Sequence, residues 1–317
     1  MKPDEQWPTA GILIPARNYD LAATLNSGQA FRWQRYGDFW VGVVGPYHVR
    51  LKQRSNGISA ETNSRIKDWD WIQDYLQTSV DLEKILETFP DDEPMNRAVA
   101  ACLGLRILRQ EPWECLASFI LSATKQIVQI RQIVARLCNC FGDEISPGFE
   151  ASGDLSRAFP SAEKIAGLAE KDLRNCRMGF RAPNLLAAAR EIAEGKLELE
   201  KLRHMSYEQA LAELMKLRGV GAKIADCVLL FAYGFDSAFP VDVWVERALQ
   251  TLYFPRRRAN KKKLLTFAAT HFGPHAGYAQ QYLFHYMRVT RRKNAADSQE
   301  VLLQNGHSNF INPPSPG

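Results

Sequence analysis

Lys223 and Asp242 are the two side chains whose types and settings could do chemistry. Lys223 follows Gly219-Val220-Gly221 and opens an apolar helical run, "GVGAKIADCVLLFAYG". Cations favour helix C-termini, so an ammonium in a first turn sits against the helix dipole. An ordinary surface lysine is the simplest account. The chemical account is that a partly desolvated amine beside a positive helix end can act as a nucleophile near neutral pH. Asp242, in "FPVDVWVERAL", reads as the N-cap of a helix beginning at Val243. A carboxylate fixed by its own cap bonds is also a fixed negative charge, able to stabilise a developing cation.

The elements that must hold these two groups follow from periodicity. "YEQALAELMKL" is amphipathic at helical spacing, and Ser206 with Gln209 makes a capping-box start. A glycine turn and a second apolar helix follow, so 206–235 reads as a helix–hairpin–helix. Two glycines, Gly219 and Gly221, let the backbone turn sharply and come close to a ligand. The free N–H groups of the second helix suit a phosphate without reading sequence. A plain interhelical turn is the alternative. Upstream, residues 12–60 read as strands: "FRWQRY", "FWVGVVG" and "YHVRLKQ" are aromatic and β-branched, with turns at Gly37-Asp38 and Gly45-Pro46. From about 68 onward the spacing is helical, as in "EPWECLASFILSA" and "APNLLAAAREIAEG". The expected fold is α+β: a small N-terminal antiparallel sheet domain with its following helix (1–95), then a larger all-helical domain (96–293), then a disordered tail (294–317).

Composition narrows the classes. The 317 residues carry a formal charge of +5, unevenly spread. Residues 251–293 hold ten Lys/Arg and no Asp/Glu, as "RRRANKKK" and "RVTRRK". Such clusters read either as a solvated face or as a phosphate-binding footprint. The six cysteines, at 102, 115, 138, 140, 176 and 227, include no C-x-x-C pair. Reduced thiols are expected, with Cys138 and Cys140 packed, no disulfide and no iron–sulfur cluster. No apolar run approaches a membrane span, and the first residues lack a secretory layout, so an intracellular location is expected.

"LNSGQAFRW", "GLRILRQEPWECLASFILSA", "GVGAKIADC", "PVDV" and "FGPHAGYAQQYLF" occur in that order over about 12–293. In this the chain resembles the bifunctional 8-oxoguanine DNA glycosylases of the helix–hairpin–helix/Gly-Pro-Asp superfamily. The resemblance implies base flipping out of oxidised duplex DNA by a monomer, with no required cofactor. It makes Lys223 the nucleophile that attacks C1′ and forms a Schiff base, and Asp242 the stabiliser of the sugar cation. It makes the Gly28 carbonyl the acceptor for the N7–H that 8-oxoguanine has and guanine lacks. Gln280 would read the Watson–Crick edge, and Cys227 and Phe284 would sandwich the base. From the residues alone, Gly28 is equally a turn before a strand, and Cys227 and Phe284 are equally core. The carbonyls of Met215, Leu217 and Val220 resemble ligands of a structural monovalent cation or Ca at the hairpin.

Departures are concentrated where the opposite strand would lie. The family's paired asparagines are here Thr124-Lys125, an expected arginine is Gln129, and a wedge tyrosine is Phe180. An expected histidine is Trp244, and Arg181 alone remains of the groups facing the orphaned cytosine. Three alternatives are open. A monofunctional alkylpurine glycosylase would lack the lysine. An endonuclease III-like pyrimidine enzyme would carry four clustered cysteines. A non-catalytic helix–hairpin–helix DNA-binding module would have no use for Lys223, Asp242, Gly28, Gln280 and Phe284 together.

Overall fold

The computed structural model describes residues 10–64, 66–145, 155–256 and 258–290. The tail proposed at 294–317 lies outside them, as do Arg257 and the 291–293 part of the basic segments. The aromatic and β-branched runs form β2 (Trp33–Tyr36), β3 (Phe39–Val44), β4 (Tyr47–Arg54) and β5 (Gly57–Thr62). This antiparallel meander turns at Gly37-Asp38, Gly45-Pro46 and Ser55-Asn56. The first strand, β1 (Ala10–Pro15), pairs with β5, giving the order β1-β5-β4-β3-β2.

One segment read as strand is not. Helix α1 (Leu21–Asn26) separates β1 from β2. Asp20 caps it, accepting from Ala23 N at 2.8 Å, and Leu21 and Leu25 bury at helical spacing. The run is too short for periodicity to reveal it.

The sheet packs under α2 (Asp70–Leu76), with Trp33 Nε1 donating to Tyr75 Oη at 2.8 Å. The remaining helices build the larger core: α3 (Leu82–Leu86), α4 (Glu93–Ala101), α5 (Pro112–Leu121), α6 (Ile127–Phe141), α7 (Ala162–Ala166), α8 (Glu170–Asn175) and α9 (Ala182–Ala193). After them come α10 (Tyr207–Met215), α11 (Ala222–Val228), α12 (Val243–Leu252), α13 (Lys261–His271) and α14 (276–290). Leu82, Ile85 and Met95 belong to this helical core, as do Ala23 and Phe31 from the N-terminal segment. The axis of the core is α5, in which every residue except Glu114 is buried. Such a helix is apolar all round because protein surrounds it. A π-turn (Leu229–Tyr233) prolongs α11. Cys138 is buried as expected, Cys140 is exposed, and all six thiols are free. No helix among the described residues is long and apolar enough to cross a membrane.

The two layers are joined by buried polar groups. Gln29 is fully buried, and its amide nitrogen donates to Thr24 O, Ser27 Oγ and Arg106 O at 3.0, 2.9 and 2.8 Å. Its amide oxygen accepts from Leu108 N at 2.8 Å. Arg32 reaches Glu114 of α5 at 3.4 Å. Replacing Gln29 by Ala takes this partner from the buried Arg106 O and Leu108 N, while Thr24 O keeps Ser27 Oγ. Gln29→Ala is expected to lose about 2–4 kcal/mol in urea unfolding at neutral pH. Gln29→Glu should lose at least as much, because a carboxylate cannot donate to the two carbonyls; wild-type stability in either variant would contradict this.

Candidate active site

The hairpin forms as its sequence expects. Ser206 Oγ accepts from Gln209 N at 3.3 Å, and Gln209 Oε1 accepts from Ser206 N at 3.1 Å. The two glycines differ in role. Gly219 has φ +79°, and a Cβ there would stand 2.2 Å from Asn184 Nδ2, so the turn requires it. Gly221 is extended, φ −101°, with open space where a Cβ would stand. It therefore contributes nothing to the sharpness of the turn; only a close approach from outside would call for glycine there. Across the hairpin, Tyr207 Oη donates to Asp226 Oδ1 at 2.6 Å, bracing α10 against α11.

Lys223 stands at the second residue of α11 and is half-buried. Its Nζ lies 3.4 Å from Ser122 Oγ and 5.3 Å from the Phe119 ring centre. Ser122 Oγ donates in turn to Phe119 O at 2.7 Å, so towards the lysine it acts as acceptor. Asp242 caps α12 as expected: Trp244 N and Val245 N both donate to Oδ1 at 2.9 Å. Burial pushes its carboxyl above the usual range, against the cap N–H groups and the charges of Lys223 and Arg288, which favour ionisation.

Both groups open on one cavity of about 970 Å³, which Gly28, Thr124, Lys125, Gly221, Cys227, Trp244, Gln280 and Phe284 also line. It lies between the α1–β2 connection, the start of α6, α11, α12 and α14. Gly28 has φ +81°, and a Cβ would meet Ile127 Cδ1 at 2.7 Å and Phe284 Cε1 at 3.3 Å. Turn and close approach both hold there. Gln280 is buried, and its Oε1 has no hydrogen-bond partner. A buried amide oxygen left unpaired beside a cavity is costly unless a ligand completes it. Burial pushes the Cys227 thiol up to about 12, so it is a neutral, apolar wall. A purine between it and Phe284 would meet no thiolate.

Three expected contacts stand outside the cavity lining. Gln129 Oε1 accepts from Gln126 N at 3.2 Å, closing the capping box of α6. Phe180 is exposed, in the turn Gly179–Arg181. Arg181 is 3% exposed. Its guanidinium bonds Ala123 O through Nε and Nη2, Met178 O at 3.2 Å and Thr124 Oγ1 at 2.6 Å, and packs on the Phe180 ring. It is occupied internally rather than presented outward. Thr124 has φ +56°, unusual for a β-branched residue, and that bond to Arg181 holds it there. Trp244 carries Arg247 over its ring, 5.4 Å from the centre.

At the hairpin, Leu217 O already accepts from Val220 N at 3.1 Å, so it offers a cation one remaining lone pair. Among the described residues no group of three or more His, Cys, Asp or Glu is placed to hold a metal. Sequence reasoning missed Ser122, Gln281 and Arg288, all on the cavity wall. The last two have a readable signal: 281, 284 and 288 follow the i, i+3, i+7 spacing of one helix face.

Residues 11–116 match the family model for the 8-oxoguanine DNA glycosylase N-terminal domain. Residues 117–272 match that of the HhH-GPD superfamily of base-excision DNA repair proteins. The chain is similar to MBOgg1, solved with a low-affinity DNA ligand: 32% identity, TM-score 0.83, covering 90% of this chain and 98% of that one. It is similar to the Clostridium acetobutylicum 8-oxoguanine glycosylase/lyase, solved with DNA carrying cytosine opposite 8-oxoguanine: 30% identity, TM-score 0.80, covering 88% and 98%. A probable N-glycosylase/DNA lyase of Methanothermobacter thermautotrophicus is 29% identical over 308 residues, 87% of this chain and 95% of that protein.

The hairpin brace has a pH signature. Burial raises Asp226 from 3.8 to about 6, against the Tyr207 hydrogen bond. The native state thus holds this proton more tightly than the unfolded chain, and ionising Asp226 costs stability as pH rises from 3.8 to about 6. Asp226→Asn keeps an acceptor for Tyr207 and removes that cost. The variant should be more stable than wild type by about 1–3 kcal/mol at pH 7.5, with the gain shrinking towards pH 4. Unfolding curves across this pH range measure it; a gain constant with pH would contradict the assignment.

Proposed function

This chain belongs to the 8-oxoguanine DNA glycosylase family, and from that premise we propose that its cavity receives an oxidised purine flipped out of duplex DNA. The chemistry is glycosylase followed by abasic-site lyase. The observation that carries the reading is the convergence on one cavity of Lys223, Asp242, Gly28 and Gln280. A non-catalytic DNA-binding module has no use for that convergence. An alkylpurine enzyme has no use for the lysine.

In this reading the Lys223 amine forms a bond to C1′ of the flipped nucleotide as the N-glycosidic bond breaks, the electron pair leaving with the base. Asp242 faces the positive charge that develops on the sugar, where a fixed carboxylate in a half-buried site acts strongly. The attacking nitrogen gives up a proton, the C1′–O4′ bond opens with its electron pair on O4′, which takes a proton, and the opened sugar stays on Lys223 as a Schiff base. Loss of a C2′ proton expels the 3′ phosphate and nicks the strand. Gly28 O takes the N7–H of 8-oxoguanine, Gln280 the Watson–Crick edge, and Cys227 with Phe284 the faces. No step draws on a cofactor. A weakly held cation on the carbonyls of Met215, Leu217 and Val220 would only brace the hairpin. Lys261 on the cavity wall, and the basic segments around it, supply sequence-independent phosphate attraction.

Borohydride trapping on an 8-oxoguanine duplex tests the assignment. Lys223→Gln should keep the fold and lesion binding while losing the trapped adduct and strand nicking. Asp242→Asn, which retains a cap-competent side chain, should still bind, with base release slowed by about a hundredfold or more. A folded Lys223→Gln protein that traps at the wild-type rate would place the nucleophile on another amine.

The internal engagement of Gln129 and Arg181, with Thr124 in place of asparagine, supports a weak preference for cytosine opposite the lesion. Each absent charge-assisted contact is worth about 1–3 kcal/mol. Single-turnover rates opposite C, A, G and T should therefore lie within about tenfold of one another. A thousandfold preference for C would mean that Arg181 is released on binding DNA, or that other residues read the base.

A further inference from the structure

We propose that Gln281 and Arg288 of α14 are positioning residues for lesion discrimination, acting by clamping the turn that presents Gly28. The proposal rests on the assignment of Gly28 as the lesion-reading carbonyl. Gln281 is 2% exposed, and its Nε2 donates to Ser27 O at 3.1 Å. Arg288 Nη1 donates to Asn26 O at 3.0 Å. These two carbonyls end α1 immediately before Gly28, where a helix leaves its last carbonyls without partners of its own. A cation at that end is also favoured by the helix dipole.

The clamp comes from the helix that carries the base-reading groups. Gln280 and Phe284 lie on α14 between and beside the clamping residues, and Arg288 stacks over Phe284, 5.3 Å from its ring centre. The Arg288 Nη1 atom lies 3.5 Å from where a Cβ on Gly28 would stand. Acceptor, edge reader and stacking ring are thereby tied to one rigid element. A single carbonyl distinguishes N7–H from a bare N7 only if it cannot retreat from the repulsive case. A Gly28 turn free to shift by about half an ångström would accept guanine as well. Fixing the turn from α14 prevents that retreat.

The lyase reaction on a preformed abasic site provides an internal reference, because no base enters the pocket. Single-turnover base release from 8-oxoguanine·C and guanine·C duplexes is measured beside nicking of an abasic duplex. The proteins are wild type, Gln281→Met, Arg288→Met and Arg288→Lys, each checked for folding by its thermal transition. Gln281→Met keeps length and volume but cannot donate. Gln281→Met should slow 8-oxoguanine release about tenfold and lower the 8-oxoguanine-to-guanine ratio, while nicking of the abasic duplex changes less than about twofold; Arg288→Met, which also removes a cation acting on Asp242, should lower the lesion ratio. Arg288→Lys, which can still donate to Asn26 O, should restore most of that ratio. In Gln281→Met, equal loss of both activities or an unchanged lesion ratio overturns the clamp. A wild-type protein that does not favour 8-oxoguanine over guanine overturns the Gly28 reading itself, an outcome visible before any variant is compared.

Discussion

One buried amide, that of Gln29, conditions the cavity. The groups facing that cavity come from opposite sides of a seam: Gly28 from the sheet-bearing segment, and Lys223, Asp242, Gln280 and Phe284 from the helical core. A site divided in this way works only if the seam does not slide. The Gln29 side chain meets one acceptor and one donor across it, Arg106 O and Leu108 N, and two acceptors on its own side, Thr24 O and Ser27 Oγ; it also lies next to Gly28 in sequence. Hydrogen bonds satisfied in full inside a protein fix geometry more sharply than apolar contact, which tolerates sliding. Arg32 with Glu114, and Gln281 with Ser27 O, add further ties across the same boundary.

Lys223 and Asp242 show how burial and charge balance. Asp242 is raised by desolvation, yet two backbone N–H groups and two nearby cations favour its anion. Lys223 is offered a hydroxyl and an aromatic face instead of a carboxylate partner in direct contact. An amine pinned by a salt bridge would be a poor nucleophile, because its lone pair is committed to a proton. In the proposed reaction, separating the lysine from the carboxylate while both open on one space would keep attack and charge stabilisation on different atoms.

What the sequence could reveal divides along physical lines. Capping and turn chemistry are local, so Asp242, the Ser206 box and Gly219 are legible from their neighbours. The alternation of the strands and the spacing of the long helices are legible for the same reason. α1 has too few residues to show a period, and the pairing of β1 with β5 depends on what that helix does to the chain path. Gly221 looks equivalent to Gly219 as a letter, and only φ separates them. Arg181 reads as an outward donor, yet its partners are carbonyls brought close by folding, which no spacing encodes. The ordered motifs pointed to Gly28, Cys227, Gln280 and Phe284, which line one cavity. Its supports at Ser122, Gln281 and Arg288 emerged only with the third dimension.

The π-turn after α11 bears on how this chain tolerates changes in length. A stretch bonded at i→i+5 holds one residue more than the α-helix that would otherwise run through it. Phe231, within the turn, lines the cavity and offers its carbonyl to Gln110 N at 2.8 Å. Removing one residue from Leu229–Tyr233 would let ordinary α-helix close up, with the lost residue taken from the stretch that holds Phe231 against Gln110. A one-codon deletion here would therefore be felt first at the stretch of cavity wall that Phe231 forms, because that is where the extra residue is housed.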